Sequence, residues 1–315
     1  MSGAGRETRA GHERARRFAD NTTHADFKGR RVLTVHEPTA PPAPLVISVP
    51  HAGRDYPEAF RRSSRLDATR LRRSEDAYVD ELFSAAPALG ASMLVASFPR
   101  AWLDVNREPY ELDPRMIEGP IPSHANTRSV RVAGGLGTVP RLVAEGLDIY
   151  RSRLPVREAL GRIEAVYKPY HSALRELLAT THDRHGRAVL LDCHSMPSAM
   201  REGESGRPDV VVGDRFGTSA SREITDRVIA ALRERGFVVA RNKPYAGGFI
   251  TEHYGRPPRG LHAVQIELNR GLYMNETTYE KTAGFEALRA ELAAFLSDFL
   301  RRIGDQDRPY LMAAE

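Results

Sequence analysis

An α/β fold, with a mostly parallel or mixed sheet covered by helices on both faces, is what this 315-residue sequence predicts. Three observations lead there. Short apolar runs rich in β-branched residues recur along the chain, stretches with helical spacing lie between them, and the residues with chemical potential cluster where the runs end. Strands that alternate with helices favour parallel pairing, because a parallel connection needs a crossover and a helix usually supplies it.

Residues 1–27 are polar and charged with few large aliphatic side chains, and read as a mobile N-terminal extension. Residues 31–36 suit a first edge strand, and Pro38-Thr-Ala-Pro-Pro-Ala-Pro44 an extended connector. Residues 45–49, 92–97, 188–192, 210–212, 237–240 and 263–268 have the composition of strands buried on both faces. Residues 71–89 carry Leu71, Tyr78, Leu82 and Phe83 at helical spacing. Residues 140–182 read as one long or broken helical region, with Pro155 and Pro169 as breaks. Residues 220–234 and 277–303 complete the helices, the last with Phe285, Leu288, Leu292, Phe295 and Leu296 on one stripe. The expected organisation is a single catalytic domain over 28–303 with a tail at 304–315.

A hydrophobic content of 41% supports one sizeable core. The 46 basic and 41 acidic residues give a net charge of +5, but the two signs are interspersed, which describes a solvated surface and no nucleic-acid footprint. A single cysteine, Cys193, excludes an internal disulfide and any multi-cysteine metal cage, and suits a reducing compartment. No apolar run approaches the roughly 20 residues that span a bilayer, and the basic N-terminus lacks the apolar segment of a secretory signal. A cytoplasmic protein without membrane contacts is the expectation.

The run 45–49 leads directly into Pro50-His51-Ala52-Gly53, an imidazole at a strand end beside residues small enough to let another group approach. A histidine there can equally cap or pack. The run 188–192 ends in Asp192-Cys193-His194-Ser195, and strand alternation turns Asp192 and His194 to one side, so the carboxylate could orient a metal-bound imidazole. Zinc catalysis typically uses three protein ligands and one open position. Asp76 is the chosen acidic ligand, with Glu75 in reserve, although acids at that point also suit a helix start. Glu267 lies mid-strand on the polar face of 263–269, where a charge is costly unless paired or useful; it suits a general base, or a partner for Arg270 or Arg107. Arg100, Asp104, Asn106 and Arg107 follow another strand and form a set able to bind carboxylates or one another. Residues 244–255, with Tyr245, Gly247, Gly248 and His253, have the composition of a loop that closes over a ligand, His253 being a polar contact rather than a ligand.

Five ordered segments, Ser48-Val-Pro-His-Ala-Gly53, Asp104-Val-Asn-Arg107, Asp192-Cys-His-Ser195, Tyr245-Ala-Gly-Gly248 and Gln265-Ile-Glu-Leu-Asn-Arg-Gly-Leu-Tyr-Met274, resemble the N-formylglutamate amidohydrolase family over roughly residues 44–276. The resemblance implies a phosphorylase/hydrolase-like fold related to the zinc carboxypeptidases. It implies one zinc ion on His51, His194 and an acidic residue, and Glu267 as general base. By the same resemblance Asn106 and Arg107 hold a substrate carboxylate; the loop residues Tyr245, Gly247 and Gly248 are expected to contact the substrate, and Arg100 to bind a second carboxylate or the developing oxyanion. Carboxypeptidases place a Glu three residues after the first His; Arg54 stands there, so a carboxylate from the Glu75/Asp76 segment is expected to fill the place. The implied reaction is hydrolysis of N-formyl-L-glutamate to formate and L-glutamate, the partner a small carboxylate, the assembly a monomer or small homo-oligomer. A carboxypeptidase-like or other N-acyl amino acid hydrolase, or a binding protein that keeps the fold, are the rival readings.

Overall fold

Every residue of Leu45–Val49 is buried, and alternation sends its side chains into two different cores. Leu45, Ile47 and Val49 join one cluster, Val46 the other; Val189 and Leu191 likewise part from Ala188 and Leu190. A strand can be apolar on both sides only if both faces of its sheet are covered. The computed structural model, which describes residues 23–25, 31–198 and 208–304, shows how. One face is packed by the helix Lys168–His185 through Tyr170, Leu174, Leu177 and Leu178. The opposite face is packed by Arg222–Glu234 and Gly284–Gly304, the latter through the predicted stripe Phe285, Leu288, Leu292, Phe295 and Leu296.

The strands are β1 (Thr23–Ala25), β2 (Arg31–His36), β3 (Leu45–Val49), β4 (Ser92–Ala96), β5 (Ile117–Glu118), β6 (Leu154–Pro155), β7 (Ala188–Met196), β8 (Val210–Gly213), β9 (Val239–Arg241) and β10 (Leu261–Asn269). Eight form one sheet in the order β1-β2-β4-β3-β7-β10-β8-β9, while β5 and β6 pair separately. β4, β3, β7 and β10 run parallel. β1 and β2 add antiparallel on one side, and β8 runs antiparallel to β10 on the other, so the sheet is mixed. Register aligns Ser48 with Asp192 and His194 with Glu267, which gathers their strand ends at one carboxyl edge, where open α/β sheets place ligands.

Several expected boundaries shift. The extension contributes Thr23–Ala25 as the edge strand; its other residues, and the tail beyond 304, lie outside the described residues. The expected helix 71–89 is four short pieces: Tyr78 takes a left-handed φ of 66°, and the chain leaves helical geometry at Glu75. In 140–182 the helix begins only after Pro155, and Pro169 does not break it. A proline in mid-helix removes an N–H and crowds the preceding turn; here one wide π-turn, Ile163–Tyr167, absorbs it between Val156–Arg162 and Lys168–His185. β7 extends to Met196, so His194 lies within the strand and not after it.

Gly53 holds the loop after β3 against the end of β4. A Cβ built there would lie 2.2 Å from the Phe98 carbonyl oxygen, backbone that cannot swing aside. Gly53→Ala should therefore cost about 2 kcal/mol or more in stability. Urea unfolding checks this, and an unchanged midpoint would show that the two segments separate freely.

Candidate active site

His51, Asp76 and His194 arrive from three parts of the chain and present one ligand atom each, all within 4.8 Å of one another. Asp76 reaches the site because its backbone N–H donates to the His51 carbonyl at 3.0 Å, which is why the chain abandons its helix there. Its Oδ2 lies 2.8 Å from His194 Nδ1 and 3.4 Å from His51 Nδ1. Glu75, the reserve acid, turns away to accept from the Tyr56 hydroxyl at 2.6 Å and from Arg72 at 2.9 Å. Arg54 pairs with Asp80 and Glu81.

Each imidazole is held by a carboxylate at its other nitrogen. His51 Nε2 is 2.8 Å from Asp104 Oδ1, and His194 Nε2 is 3.0 Å from Asp192 Oδ2. Behind them, Ser48 donates to Asp192 at 3.0 Å and Arg100 Nε to Asp104 at 2.9 Å. Both rings thus turn their Nδ1 atoms toward Asp76, the arrangement by which carboxylates fix metal-bound histidines. His51 Nδ1 is buried without a hydrogen bond, an orphan that a cation would satisfy. Ligands about 2.0–2.2 Å from a tetrahedral zinc stand roughly 3.3 Å apart, close to the spacings at Asp76. Two nitrogens and a carboxylate oxygen among three buried aspartates therefore fit a divalent ion.

The electrostatics agree. Burial alone would lower His194, but Asp192 and then Asp76 hold its imidazolium far above the usual range. Burial would raise Asp76, yet the adjacent imidazoles of His194 and His51 keep its carboxyl well below the usual range. Asp104 is likewise held low against burial, by Arg100, Arg107 and His51. The centre favours positive charge.

Glu267 opens onto the same cavity, of about 530 Å³, as His51, Asp76 and His194. Burial pushes its carboxyl up to about 7, and Asp76 adds to the effect while His194, Arg100 and Arg270 oppose it. Its Oε1 accepts from Gln265 Nε2 at 2.8 Å, and Gln265 Oε1 accepts from the Gly248 N–H at 2.7 Å. Since a backbone N–H only donates, the amide orientation is fixed and the NH₂ faces Glu267.

The N-formylglutamate amidohydrolase family model matches residues 43–274, a span that contains all of these side chains. The chain belongs to this family. N-formylglutamate deformylase of Pseudomonas putida is 32% identical to it over 251 residues, covering 78% of this chain and 86% of that protein. The Pseudomonas aeruginosa deformylase is 31% identical over 264 residues, 82% of this chain and 91% of the other. Among solved structures, the N-formylglutamate amidohydrolase of Ralstonia eutropha JMP134 superposes with a TM-score of 0.81 at 35% identity, covering 86% of this chain and 99% of that one. A gene product of Agrobacterium tumefaciens, 21% identical with a TM-score of 0.61, shares the fold.

Within this family member, the expected site residues divide. Arg100, Arg107, Tyr245, Gly247 and Gly248 line the cavity with the histidine centre. His253 instead stacks on Phe249, ring centroids 4.9 Å apart, beside a separate depression. Asn106, expected on a substrate carboxylate, is occupied by the protein itself. Its Nδ2 lies 3.2 Å from His194 Nε2 and 3.4 Å from Asp192 Oδ2, and its Oδ1 accepts from the Ile250 N–H at 2.8 Å. It also lines the cavity. Arg270, weighed as a partner for Glu267, instead donates to Asp76 Oδ1 at 3.1 Å, to the Glu75 carbonyl at 2.6 Å and to Ser195 at 3.0 Å.

The sequence alone gives Gln265 and Asp104 no such duties. For Gln265 the signal was present, since position 265 faces the same side as 267 on a strand.

Proposed function

We propose that this protein hydrolyses N-formyl-L-glutamate to formate and L-glutamate with one divalent ion, zinc by its donor set, on His51, Asp76 and His194. The observation that carries the reading is the convergence of those three ligand atoms with Glu267 in one cavity of a chain from this family. The named activity of the Pseudomonas relatives supports the substrate.

When bound, such an ion polarises a carbonyl and acidifies water. Glu267 takes a proton from the water as its oxygen bonds to the formyl carbon, then delivers that proton to the departing nitrogen as the C–N bond breaks. Gln265 keeps Glu267 aimed by hydrogen-bonding one of its oxygens. Arg100, fixed by Asp104 yet still partly exposed, provides a donor for the developing oxyanion. Arg107 is mostly buried, its Nε donating to the Leu136 carbonyl at 2.8 Å, and presents its charge to a substrate carboxylate. Among the described residues no helix is long and apolar enough to cross a membrane. A cytoplasmic monomer or small homo-oligomer completes the proposal.

Metal analysis with a formate-release assay tests it. Purified protein should carry about one equivalent of zinc, lose activity to a chelator and regain it with zinc. A panel of formyl, acetyl and succinyl amino acids should favour N-formyl-L-glutamate. Preference for another acyl group would favour the broader N-acyl hydrolase, and no cleavage by zinc-loaded protein would favour a binding protein.

A further inference from the structure

The cavity is lined by six arginines, Arg73, Arg100, Arg107, Arg131, Arg215 and Arg270. Four already face carboxylates. Arg100 and Arg107 lie 2.9 and 3.6 Å from Asp104, Arg270 is 3.1 Å from Asp76, and Arg215 is 2.7 Å from Glu252. Among the described residues, Arg73 and Arg131 form no such pair. Arg73 is solvent-exposed, whereas Arg131 is partly buried in the wall. Arg131 also borders the depression that holds Glu108, Glu111 and Glu252, and pairs with none of them.

Arg131 and Arg107 both engage the backbone of Leu136. Arg107 Nε donates to the Leu136 carbonyl at 2.8 Å, and the Leu136 N–H donates to the Arg131 carbonyl at 2.8 Å. The segment that bears Arg131 is braced. Ser129 caps the turn Val130–Ala133 by accepting from the Val132 N–H at 3.1 Å, and Arg115 donates to the Val132 and Ala133 carbonyls at 3.1 and 2.7 Å. Guanidinium groups that line one cavity repel, and burial, helped by Arg100 and Arg131 and opposed by Asp104, draws Arg107 down to about 10. A carboxylate arriving between them gains charge-assisted hydrogen bonds and removes that repulsion.

We propose that Arg131 receives the distal carboxylate of a dicarboxylate substrate, and is therefore the residue that makes the site prefer an acidic side chain to its neutral amide. The inference rests on the deformylase reading above and deepens it. N-formyl-L-glutamate has two carboxylates, and one placed on Arg107 leaves the second for a cation that has no ion pair among the described residues. Arg131 meets that need from a braced backbone, with no ion pair among the described residues to break first.

The test compares kcat/KM on N-formyl-L-glutamate and N-formyl-L-glutamine, which differ only by charge at that position. Wild-type enzyme should prefer the glutamate compound by about 100-fold or more. Arg131→Gln should cost about 30-fold or more on N-formyl-L-glutamate, chiefly in KM, and within about 3-fold on the glutamine compound, so the preference collapses. Arg131→Lys, which restores charge without the planar fork, should recover part of it. An unchanged preference in Arg131→Gln overturns the assignment, as does a collapse that appears in Arg73→Gln instead. Wild-type enzyme that cleaves neither compound refutes the deformylase activity and the inference with it, a result distinct from wild-type selectivity that survives loss of Arg131.

Discussion

Glu267→Gln should lower turnover by about three orders of magnitude or more, some 4 kcal/mol of lost transition-state stabilisation, and leave the zinc content at the wild-type level. The two side chains have nearly the same shape, and the amide oxygen can still accept from Gln265, so the variant keeps its place in the cavity wall. What it loses is the ability to accept a proton. Glu267 is not one of the three converging ligand atoms, so metal binding should survive. The pH profile supplies an independent reading. A general base works ionised, so kcat/KM of the wild type falls as pH drops through the Glu267 pKa. Burial among protein groups sets that value at about 7, and a cation nearby favours the ionised form, which moves the acid limb below 7. In the glutamine variant that limb should vanish and leave a low, flat rate. Turnover equal to wild type would remove Glu267 from the mechanism.

The sheet was legible because its central strands are buried on both faces, which forces nearly unbroken apolar runs such as 188–191. Residues 71–89 misled because Leu71, Leu82 and Phe83 are indeed buried at helical intervals, yet the chain bends between them to carry Asp76 to the His51 carbonyl. Helical propensity there is outweighed by a contact 25 residues away in the sequence, and no local pattern records it. The same distinction runs through the site. His51, His194 and Glu267 could be picked out because strand ends and a charge inside an apolar strand are local features. The surroundings of Asn106 could not be foreseen, because Asp192, the carboxylate that its amide approaches, stands 86 positions later. Arg131 carries no local sign, since it is singled out by the carboxylates that four of the other five cavity arginines already face and by the solvent exposure of the fifth, Arg73.

His194→Ala should give the other large effect and the opposite metal reading: activity reduced to background and far less than one equivalent of zinc. His194 offers one of the three converging atoms that could hold the ion, and its ring also separates Asp76 from Asp192 with contacts of 2.8 and 3.0 Å. Without it the acids keep other partners: Asp76 retains His51 and Arg270, and Asp192 retains Ser48. The variant should consequently fold, at a cost of a few kcal/mol for buried carboxylates with less compensation, and near-ultraviolet dichroism can confirm that it does. Two carboxylates facing each other across the vacated space do not replace an imidazole. Their repulsion raises one pKa and leaves a protonated acid, a poor ligand, where the nitrogen had been. Loss of activity therefore has two separable origins: a chain with its ion and no base at position 267, and a chain with its base and no ion. A full equivalent of zinc in His194→Ala would mean that the ion sits elsewhere, and the mechanism built on this triad would go with it.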